Sequence, residues 1–592
     1  MYIREFHIKN FRNLEEINLK FHKGLNVLVG ENNSGKTSIF DALRICLGFG
    51  DRYRNVYINK SDFFIDKEQP DYELPKIEFD LFFEIEEDEE LGIFRELLVP
   101  KGDGEVELQL HHEYYFENVN GIEKLRYQVW GGENKGQQID PEVLDLIRHI
   151  YLGALRNASK ELRPVRGNKL GELFSKLNKD IQGRVIDEDK RDEMASKIRD
   201  SIHEDDEWND LIETGLKEIN EHLEKISIRN NEQVVNIDFL PFEFDRLVDY
   251  LRIQLPIFKN SLLDDESDQE YFDISQNGLG YNNLIFTATV LGNLSVITQV
   301  DPATYIALII EEPEAHLHPQ LQNIFFKYLN DLNNKGFQLF ISSHSPTLTA
   351  KAKLNSLILL QNKDGNVDSL AINDLNLSDE NLKYLAKFLD VTESQLFFAK
   401  GVLLVEGISE TLLMQIFSVM ISENDEYNLE KNGVEIVNIG GISFKHFAGL
   451  YNSENQNNRL ANKCCIITDS DPDQETGEIS DRAKKAKELE GGNLEVKLAE
   501  NTFEYDLFIE CEENRRILLE CFNQLHPIAA DRIKEGSSDQ DYAKSFLEKV
   551  ESNNAKSRLA HSLAIKLANN TEDQEKFQVP NYISEAITEL FE

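Results

Sequence analysis

The stretch LNVLVGENNSGKTSIFDALRICLG, from Leu25 to Gly48, decides how the rest of the chain is read. LNVLVG is a short apolar run ending on glycine, as a buried strand does, and SIFDALRICLG carries Ile39, Leu43 and Leu47 at helical spacing. Between them GENNSGKT (Gly30 to Thr37) matches G-x-x-x-x-G-K-[ST] in the strand-to-helix context that this motif requires. The glycines let backbone N–H groups face the β- and γ-phosphates of a nucleotide, Lys36 adds charge, and the Thr37 hydroxyl is placed to reach Mg²⁺. A structural glycine turn is the plain alternative, and the flanking strand and helix weigh against it. The candidate ATP contacts in this loop are Gly30, Asn32, Asn33, Ser34, Gly35, Lys36, Thr37 and Ser38.

Outward from this loop, Tyr2 to Ile8 and Glu16 to Phe21 read as strands around a turn at Asn10 to Asn13. KIEFDLFFEI (Lys76 to Ile85) and VELQLHHEYYF (Val106 to Phe116) read as further antiparallel strands. From about Glu161 to Ser227 the composition turns charged and helix-forming, which marks a helical insertion. VVNIDFLPF (Val234 to Phe242) returns to strand, and LLDDESDQE (Leu262 to Glu270) is an acidic loop. ALIIEEPEAHLHP (Ala307 to Pro319) is then an apolar strand ending in two acids, with Glu311 placed to hold Mg²⁺ through water and Glu312 to orient or deprotonate an attacking water. An acidic strand end beside a turn proline would account for this segment alone; Lys36 upstream favours the catalytic reading. DISQNGLGYNNLIF (Asp273 to Phe286) puts Ser275 and Gly278 ahead of a helix, where they form either an anion site for a γ-phosphate or an ordinary cap. ISSHSP (Ile341 to Pro346) sets His344 at the end of the next strand, within reach of the γ-phosphate or the Glu312 water.

The whole chain has 592 residues, with 63 Lys and Arg against 107 Asp and Glu, a net charge of −44. At roughly 150 residues per domain this predicts two to four domains. So acidic a chain does not coat DNA through a general basic surface, although a local nucleic-acid site remains open. The 41% hydrophobic and 29% charged fractions are those of a globular protein. Five cysteines without a C-x-x-C pair fit neither a disulfide framework nor a zinc cage. With an opening segment charged throughout and no long apolar run, the expectation is a cytoplasmic protein with no membrane association.

After residue 400 the chemistry changes. VLLVEGISETLLMQIF (Val402 to Phe417) is an apolar strand ending at Glu406-Gly407, followed by a helix with Glu410 in its first turn. CCIITDSDPD (Cys464 to Asp473) ends a second apolar strand in Asp469-x-Asp471, and NTFEYDL (Asn501 to Leu507) adds Glu504, with Asp506 two residues on. Carboxylates at the ends of parallel strands converge where α/β folds place ligands. Hard oxygen donors of this kind suit Mg²⁺ or Mn²⁺, and two such ions would hold the attacking and leaving oxygens of a phosphodiester displacement. In a chain with 107 acids one D-x-D is no signal by itself. The stronger point is that Glu406 and Asp469 each directly follow an apolar strand.

The order of glycine loop, signature serine, acidic pair and switch histidine resembles the ABC-type ATPase heads of the SMC and RecF group. One departure is Glu311, where an aspartate is usual, and no coiled-coil arm interrupts the head. VEG and D-x-D resemble a Toprim domain. An ABC-type head followed by Toprim is similar to the OLD (overcoming lysogenization defect) family of nucleases, including the Gabija nuclease subunit and the retron-associated members, and VEGISE and TFEYDL are particularly close to it. The resemblance implies an α/β fold with an ABC/SMC-like ATPase head at 1–160 and 231–375. A helical, dimerising insertion would occupy 161–230, and a Rossmann-like Toprim nuclease domain with C-terminal helices 376–592. It also implies Glu406, Glu410, Asp469, Asp471 and Glu504 as metal ligands or their close supports. NNAKSRLAHSLA (Asn553 to Ala564) resembles the family segment that brings a lysine to the scissile phosphate, which makes Lys556 a catalytic candidate and Lys566 a weaker one.

The activity so implied is an ATP-regulated, metal-dependent DNA endonuclease acting as a homodimer in antiphage defence, with a helicase or a reverse transcriptase and noncoding RNA as possible system partners. The alternative is a RecF-like ATP-gated DNA clamp without nuclease activity. Strand passage and priming, the other Toprim activities, lack a tyrosine marked by context or polymerising elements. For DNA contact, Arg156, Lys160, Arg163, Arg166 and Lys169 form one basic segment and Arg482, Lys484, Lys485 and Lys487 another, the second slightly favoured because it follows the D-x-D strand. Helix faces or loops that balance acidic neighbours explain both segments equally well.

Overall fold

The computed structural model describes residues 1–49, 56–65, 74–86, 88–102, 105–154, 162–165, 168–176, 188–226, 243–256, 271–300, 305–332, 336–363, 366–389, 393–422, 425–441, 443–473 and 477–591. The expected strand at Val234 to Phe242, the acidic loop at Leu262 to Glu270, and Arg156, Lys160 and Arg166 lie outside the described residues.

The chain opens with β1 (Tyr2–Phe11), β2 (Leu14–Lys20) and β3 (Leu25–Val29). It continues through β4 (Ile77–Glu84), β5 (Leu98–Gly102), β6 (Glu105–Val119), β7 (Ile122–Gly131) and β8 (Ile147–Leu152). After the short pair β9 (Gln254–Pro256) and β10 (Tyr271–Asp273) come β11 (Tyr305–Glu311), β12 (Gln338–Ser343), β13 (Leu357–Lys363) and β14 (Asn366–Ala371). An antiparallel sheet runs β2-β1-β4-β6-β5 with β7 on β6, and a second sheet runs β14-β13-β3-β12-β11-β8. The second sheet is parallel except for β14, and β3 sits at its centre between β13 and β12. Every residue of β3, β11 and β12 is buried, which is why those strands read as largely apolar runs, with Asn26, Gln338, Ser342 and Ser343 among the buried polar exceptions. The glycine loop, the acidic pair and the switch histidine therefore leave the same edge of neighbouring strands.

Two details differ from the sequence reading. β1 continues through Phe11, and the turn falls on Arg12 and Asn13 because Arg12 takes a left-handed backbone (φ 53°) and its N–H donates to the Asp62 carbonyl at 2.7 Å. β8 has no apolar signature, since His149 and Arg148 interrupt it, yet its whole length pairs with β11 from Tyr305 to Ile310 and closes the sheet edge beside the acidic pair. The segment expected as a helical insertion contains helices Lys169–Lys176, Glu188–His203 and Asp206–Ile226.

Leu28 and the helix Lys36–Leu47 pack toward the antiparallel sheet in one core. Val27 and Val29, on the other face of β3, belong to a core that runs without a break into the C-terminal region. There β15 (Gly401–Val405), β16 (Val434–Asn438), β17 (Lys463–Thr468) and β18 (Leu494–Leu498) form an all-parallel sheet in the order β16-β15-β17-β18. Val402 and Leu404 of β15 face the ATPase-head core, while Leu403 and Val405 face the helices Ile408–Met420, Lys556–Asn569 and Asn581–Glu589. The fold is mixed α/β, a two-sheet N-terminal region followed by a parallel-sheet domain. Among the described residues no helix is long and apolar enough to cross a membrane.

Candidate functional site

Two sites emerge at strand ends. In the first, Gly35 supplies the left-handed turn (φ 88°) that starts the helix at Lys36. Gly30 has no room for a side chain, because a Cβ there would lie 2.7 Å from both the Leu360 carbonyl and Ser34 Oγ. Lys36 Nζ donates to the Gly30 carbonyl and the Glu31 carbonyl, each at 2.7 Å, and to Ser34 Oγ at 3.0 Å. Burial lowers its pKa to about 8, against the opposing pull of Glu312, Glu31 and Glu314. Thr37 is exposed, whereas the Ser38 hydroxyl turns inward and donates to Asn13 Oδ1 at 2.8 Å. Asn32 and Asn33 are exposed on the loop, with Asn33 in a left-handed conformation.

Glu311 ends β11 buried, accepting a hydrogen bond from the Tyr151 hydroxyl at 2.8 Å, and burial raises its pKa. Glu312 follows with φ 42°, a strained backbone for a residue with a side chain, and its Oε1 lies 3.3 Å from His344 Nε2. His344 is held toward its neutral form by burial and by Lys36, against Glu312. Glu314, which the sequence reading passed over, secures this arrangement. Its Oε1 accepts from the Ser343 hydroxyl at 2.7 Å and from the His344 N–H at 3.1 Å, while its buried Oε2 has no hydrogen-bond partner among the described residues. The third acid of E-E-P-E was a visible signal for it, but nothing in sequence pointed to Tyr151.

Ser275 and Gly278 precede the helix Leu279–Val300. The hydrogen bonds of Ser275 go to Asp273, so it is a helix-entry residue within this chain, and it is exposed. Gly280 lets that helix start close against the acidic loop, since a Cβ would lie 2.5 Å from the His316 carbonyl.

The second site lies at the ends of β15 and β17. Glu406 accepts from the Thr468 hydroxyl and from the Asp469 N–H at 3.2 Å. Asp469 accepts from the Phe503 N–H at 2.9 Å, and its pKa rises to about 8 through burial and then through the fields of Glu406, Glu410, Glu504 and Asp471. Glu410 rises to about 7 for the same reasons, burial first and then Glu504 and Glu406. Asp471, like Glu312, takes a left-handed backbone (φ 41°). Glu504 is buried and pairs with Lys556 Nζ at 3.1 Å; Lys556 also reaches Glu551 at 3.2 Å. Burial alone would lower the Lys556 pKa, but Glu504 and Glu551 hold it above its usual value.

The fold thus brings Glu406, Glu410, Asp469, Asp471, Glu504 and Lys556 into one electrostatic neighbourhood, and the donor set is one of hard oxygens suited to Mg²⁺ or Mn²⁺. Among the described residues no three such side chains already surround a single point. Glu406 and Asp471 are engaged by Arg482, Asp469 by the Phe503 amide and Glu504 by Lys556. Asp506 has a supporting place, accepting from the Glu500 and Asn501 N–H groups at 2.6 and 3.1 Å and so shaping the turn that carries Ser470 and Asp471. Lys566 belongs elsewhere, in an ion network with Glu520 and Asp573. The Tyr582 hydroxyl, which no sequence signal marked, is buried in the field of Asp506, Asp469, Glu410 and Glu504, with no hydrogen-bond partner among the described residues.

A phosphate-binding loop with an acidic pair and switch histidine, joined to a parallel sheet with carboxylates at its strand ends, defines an ATPase head coupled to a Toprim domain. The AAA ATPase domain family matches residues 1–118 and 140–349, and the Overcoming lysogenization defect protein-like TOPRIM domain matches residues 397–471. The chain belongs to the AAA ATPase domain family, carries an OLD-like TOPRIM domain, and is homologous to the GajA and OLD nucleases. It is 27% identical to endonuclease GajA of Bacillus cereus strain HuB5-5, an alignment spanning 48% of this chain and 43% of that protein. It is 25% identical to the endonuclease GajA of strain VD045, over 75% of this chain and 72% of the relative. It is 24% identical to the OLD nuclease of Thermus scotoductus, over 74% and 77%. The solved C-terminal region of the Burkholderia pseudomallei OLD protein aligns at 19% identity and a TM-score of 0.25, covering 33% of this chain and 98% of that one. Similarity to RecF is short, 76 residues or 10% of this chain for the Clostridium novyi protein at 37% identity, covering 21% of that protein.

Proposed function

We propose that the chain is an ATP-binding and ATP-hydrolysing, divalent-metal-dependent DNA endonuclease. The observation that carries this reading is Asp469, buried in the fields of four other carboxylates, with Lys556 against one of them. Such crowding of buried acids is relieved by protonation or by bound cations, and with a lysine at hand it suits a phosphodiester site better than a solvated acidic face. Glu406, Glu410, Asp469, Asp471 and Glu504 would hold the ions, which supply activated water and stabilisation of the leaving oxygen when bound. Lys556, kept charged by Glu504 and Glu551, neutralises the developing phosphate charge.

In the head, Lys36, Thr37, Ser38 and the loop from Gly30 bind the nucleotide, Glu311 supports its Mg²⁺, and Glu312, oriented by neutral His344, positions the water. Ser275 and Gly278 act on a second copy's nucleotide. Their surroundings support this: Ser275 is exposed and flanked by Tyr271, Phe272, Leu279 and Tyr281, each 41–60% exposed, an apolar rim suited to a homodimer. Division at about residues 160, 230 and 375, a cytoplasmic place and a role in antiphage defence alongside a helicase or a reverse transcriptase with noncoding RNA complete the proposal.

Incubation of the purified chain with plasmid and Mg²⁺ or Mn²⁺ tests it. Cutting that is lost in Glu406→Ala while ATP hydrolysis persists is the expected result; intact plasmid under every metal and nucleotide condition would favour the RecF-like clamp instead.

A further inference from the structure

Arg482 lies in a basic segment for which the sequence leaves DNA contact and plain charge balance both open, and its guanidinium points into the carboxylate site. Nη2 is 2.5 Å from each oxygen of Glu406, and Nη1 is 3.3 Å from Asp471 Oδ2. The side chain is one-third exposed and Glu406 only 17%, so the pair sits at the wall of the site rather than on open surface. Its neighbours on the helix Asp481–Lys487 behave differently: Lys484 pairs with Glu478 and Asp481, Lys487 with Glu490, and Lys485 is exposed.

The backbone holds Arg482 in this place. Ser480 caps the helix through its side chain, accepting from the Ala483 N–H at 3.2 Å, and the Ser480 N–H donates to the carbonyl of Ser470, between Asp469 and Asp471, at 3.0 Å. The helix start and the D-x-D loop are thereby one unit. Glu406 is also anchored through its Oε1, which accepts from the Thr468 hydroxyl and the Asp469 N–H, while its Oε2 meets Arg482. A divalent ion needs a carboxylate oxygen at about 2.0–2.1 Å for Mg²⁺, in space that the guanidinium borders. An arginine cannot yield by losing its proton, because it stays charged at any working pH. It yields only by moving.

We propose that Arg482 is a resident counter-ion of the nuclease site that a divalent metal must displace from Glu406 and Asp471, and so sets the metal concentration at which the site loads. This rests on the reading of that site as metal-binding.

The test is Mn²⁺ binding to the full chain without nucleotide or DNA, followed by electron paramagnetic resonance of free Mn²⁺ and by calorimetry. Glu406→Gln defines the binding that belongs to this site. Arg482→Gln should tighten the Glu406-dependent binding about tenfold or more, and Arg482→Lys, which keeps a charge without the planar fork, should fall between. Thermal unfolding of each variant verifies that it is folded, and the Lys variant keeps the test open where the Gln variant does not fold. Equal or weaker Mn²⁺ affinity in folded Arg482 variants would overturn the counter-ion assignment alone. Absence of any Glu406-dependent binding in all of them would overturn the metal reading beneath it as well.

Discussion

Lys36→Met is expected to stabilise the nucleotide-free protein while abolishing nucleotide binding. Lys36 is 5% exposed, and its positive charge is met by two carbonyls and one hydroxyl rather than by a touching carboxylate. A lysine held at about 8 instead of 10.5 has its charged form disfavoured by about 3 kcal/mol in the folded state. Methionine removes that penalty but also removes the donor to those three oxygens, at about 1 kcal/mol for each one that water does not reach. Glu31 is exposed, so water can replace the donor at its carbonyl, and a net gain of about 1–2 kcal/mol remains. The pH dependence follows from the direction of the shift. Between pH 8 and 10.5 the unfolded chain keeps a proton that the folded chain has shed, so wild-type stability rises with pH across that window. The penalty is fully present below pH 8. The assay is the difference in thermal midpoint between wild type and Lys36→Met from pH 7 to pH 10, which cancels other alkaline titrations. The variant should unfold at the higher temperature at pH 7, the gap should close and then reverse in favour of wild type as the pH rises to 10, and at pH 7 Mg-ATP should reverse the order by stabilising wild type alone. A variant that is less stable at pH 7, or a gap indifferent to pH, would refute the reasoning.

Three further outcomes are expected. Glu314→Ala removes the acceptor for the Ser343 hydroxyl and the His344 N–H, so ATP turnover should fall by about tenfold or more with nucleotide affinity little changed; an unchanged turnover number would remove Glu314 from the site. Lys556→Met should reduce plasmid cutting by about 10²–10³ and, in metal-free buffer, leave the buried Glu504 without its Lys556 ion pair, with a lower thermal midpoint readable by scanning calorimetry. With a net charge of −44, DNA binding in EDTA should be weak and should strengthen on adding Ca²⁺ as a non-cleaving ion, measured by fluorescence anisotropy; tight binding in EDTA would contradict the site proposed here.

The tight contact between the two regions gives these experiments a shared frame. A cavity of about 670 Å³ is walled on one side by the glycine-loop residues Glu31 to Ser34 and on the other by Arg459 to Asn462 of the Toprim region. The Ala461 N–H donates to Gln361 Oε1 at 3.0 Å, and the Ser394 hydroxyl donates to the carbonyl of Pro346, two residues after the switch histidine, at 2.9 Å. Among the described residues the glycine-loop strand and the carboxylate-bearing sheet therefore share one core.

What sequence alone determined was the chemistry that depends on local pattern. The glycine loop, the acidic pair, VEG and D-x-D were legible because each lies at the end of a buried or nearly buried parallel strand, where an apolar run stops abruptly at functional residues. The charge of −44 likewise excluded a basic DNA-coating surface without any coordinates. The tertiary structure decided which charges meet. Tyr151 reaches Glu311 across 160 positions because β8 pairs with β11, and Arg482 reaches Glu406 across 76 because the D-x-D loop carries its helix back over β15. Left-handed backbone at Glu312 and Asp471 is equally invisible in sequence. Local spacing encodes strands, loops and helix starts, whereas the partner of a buried charge is set by strand order and by the packing of one element on another, and neither leaves a periodic trace.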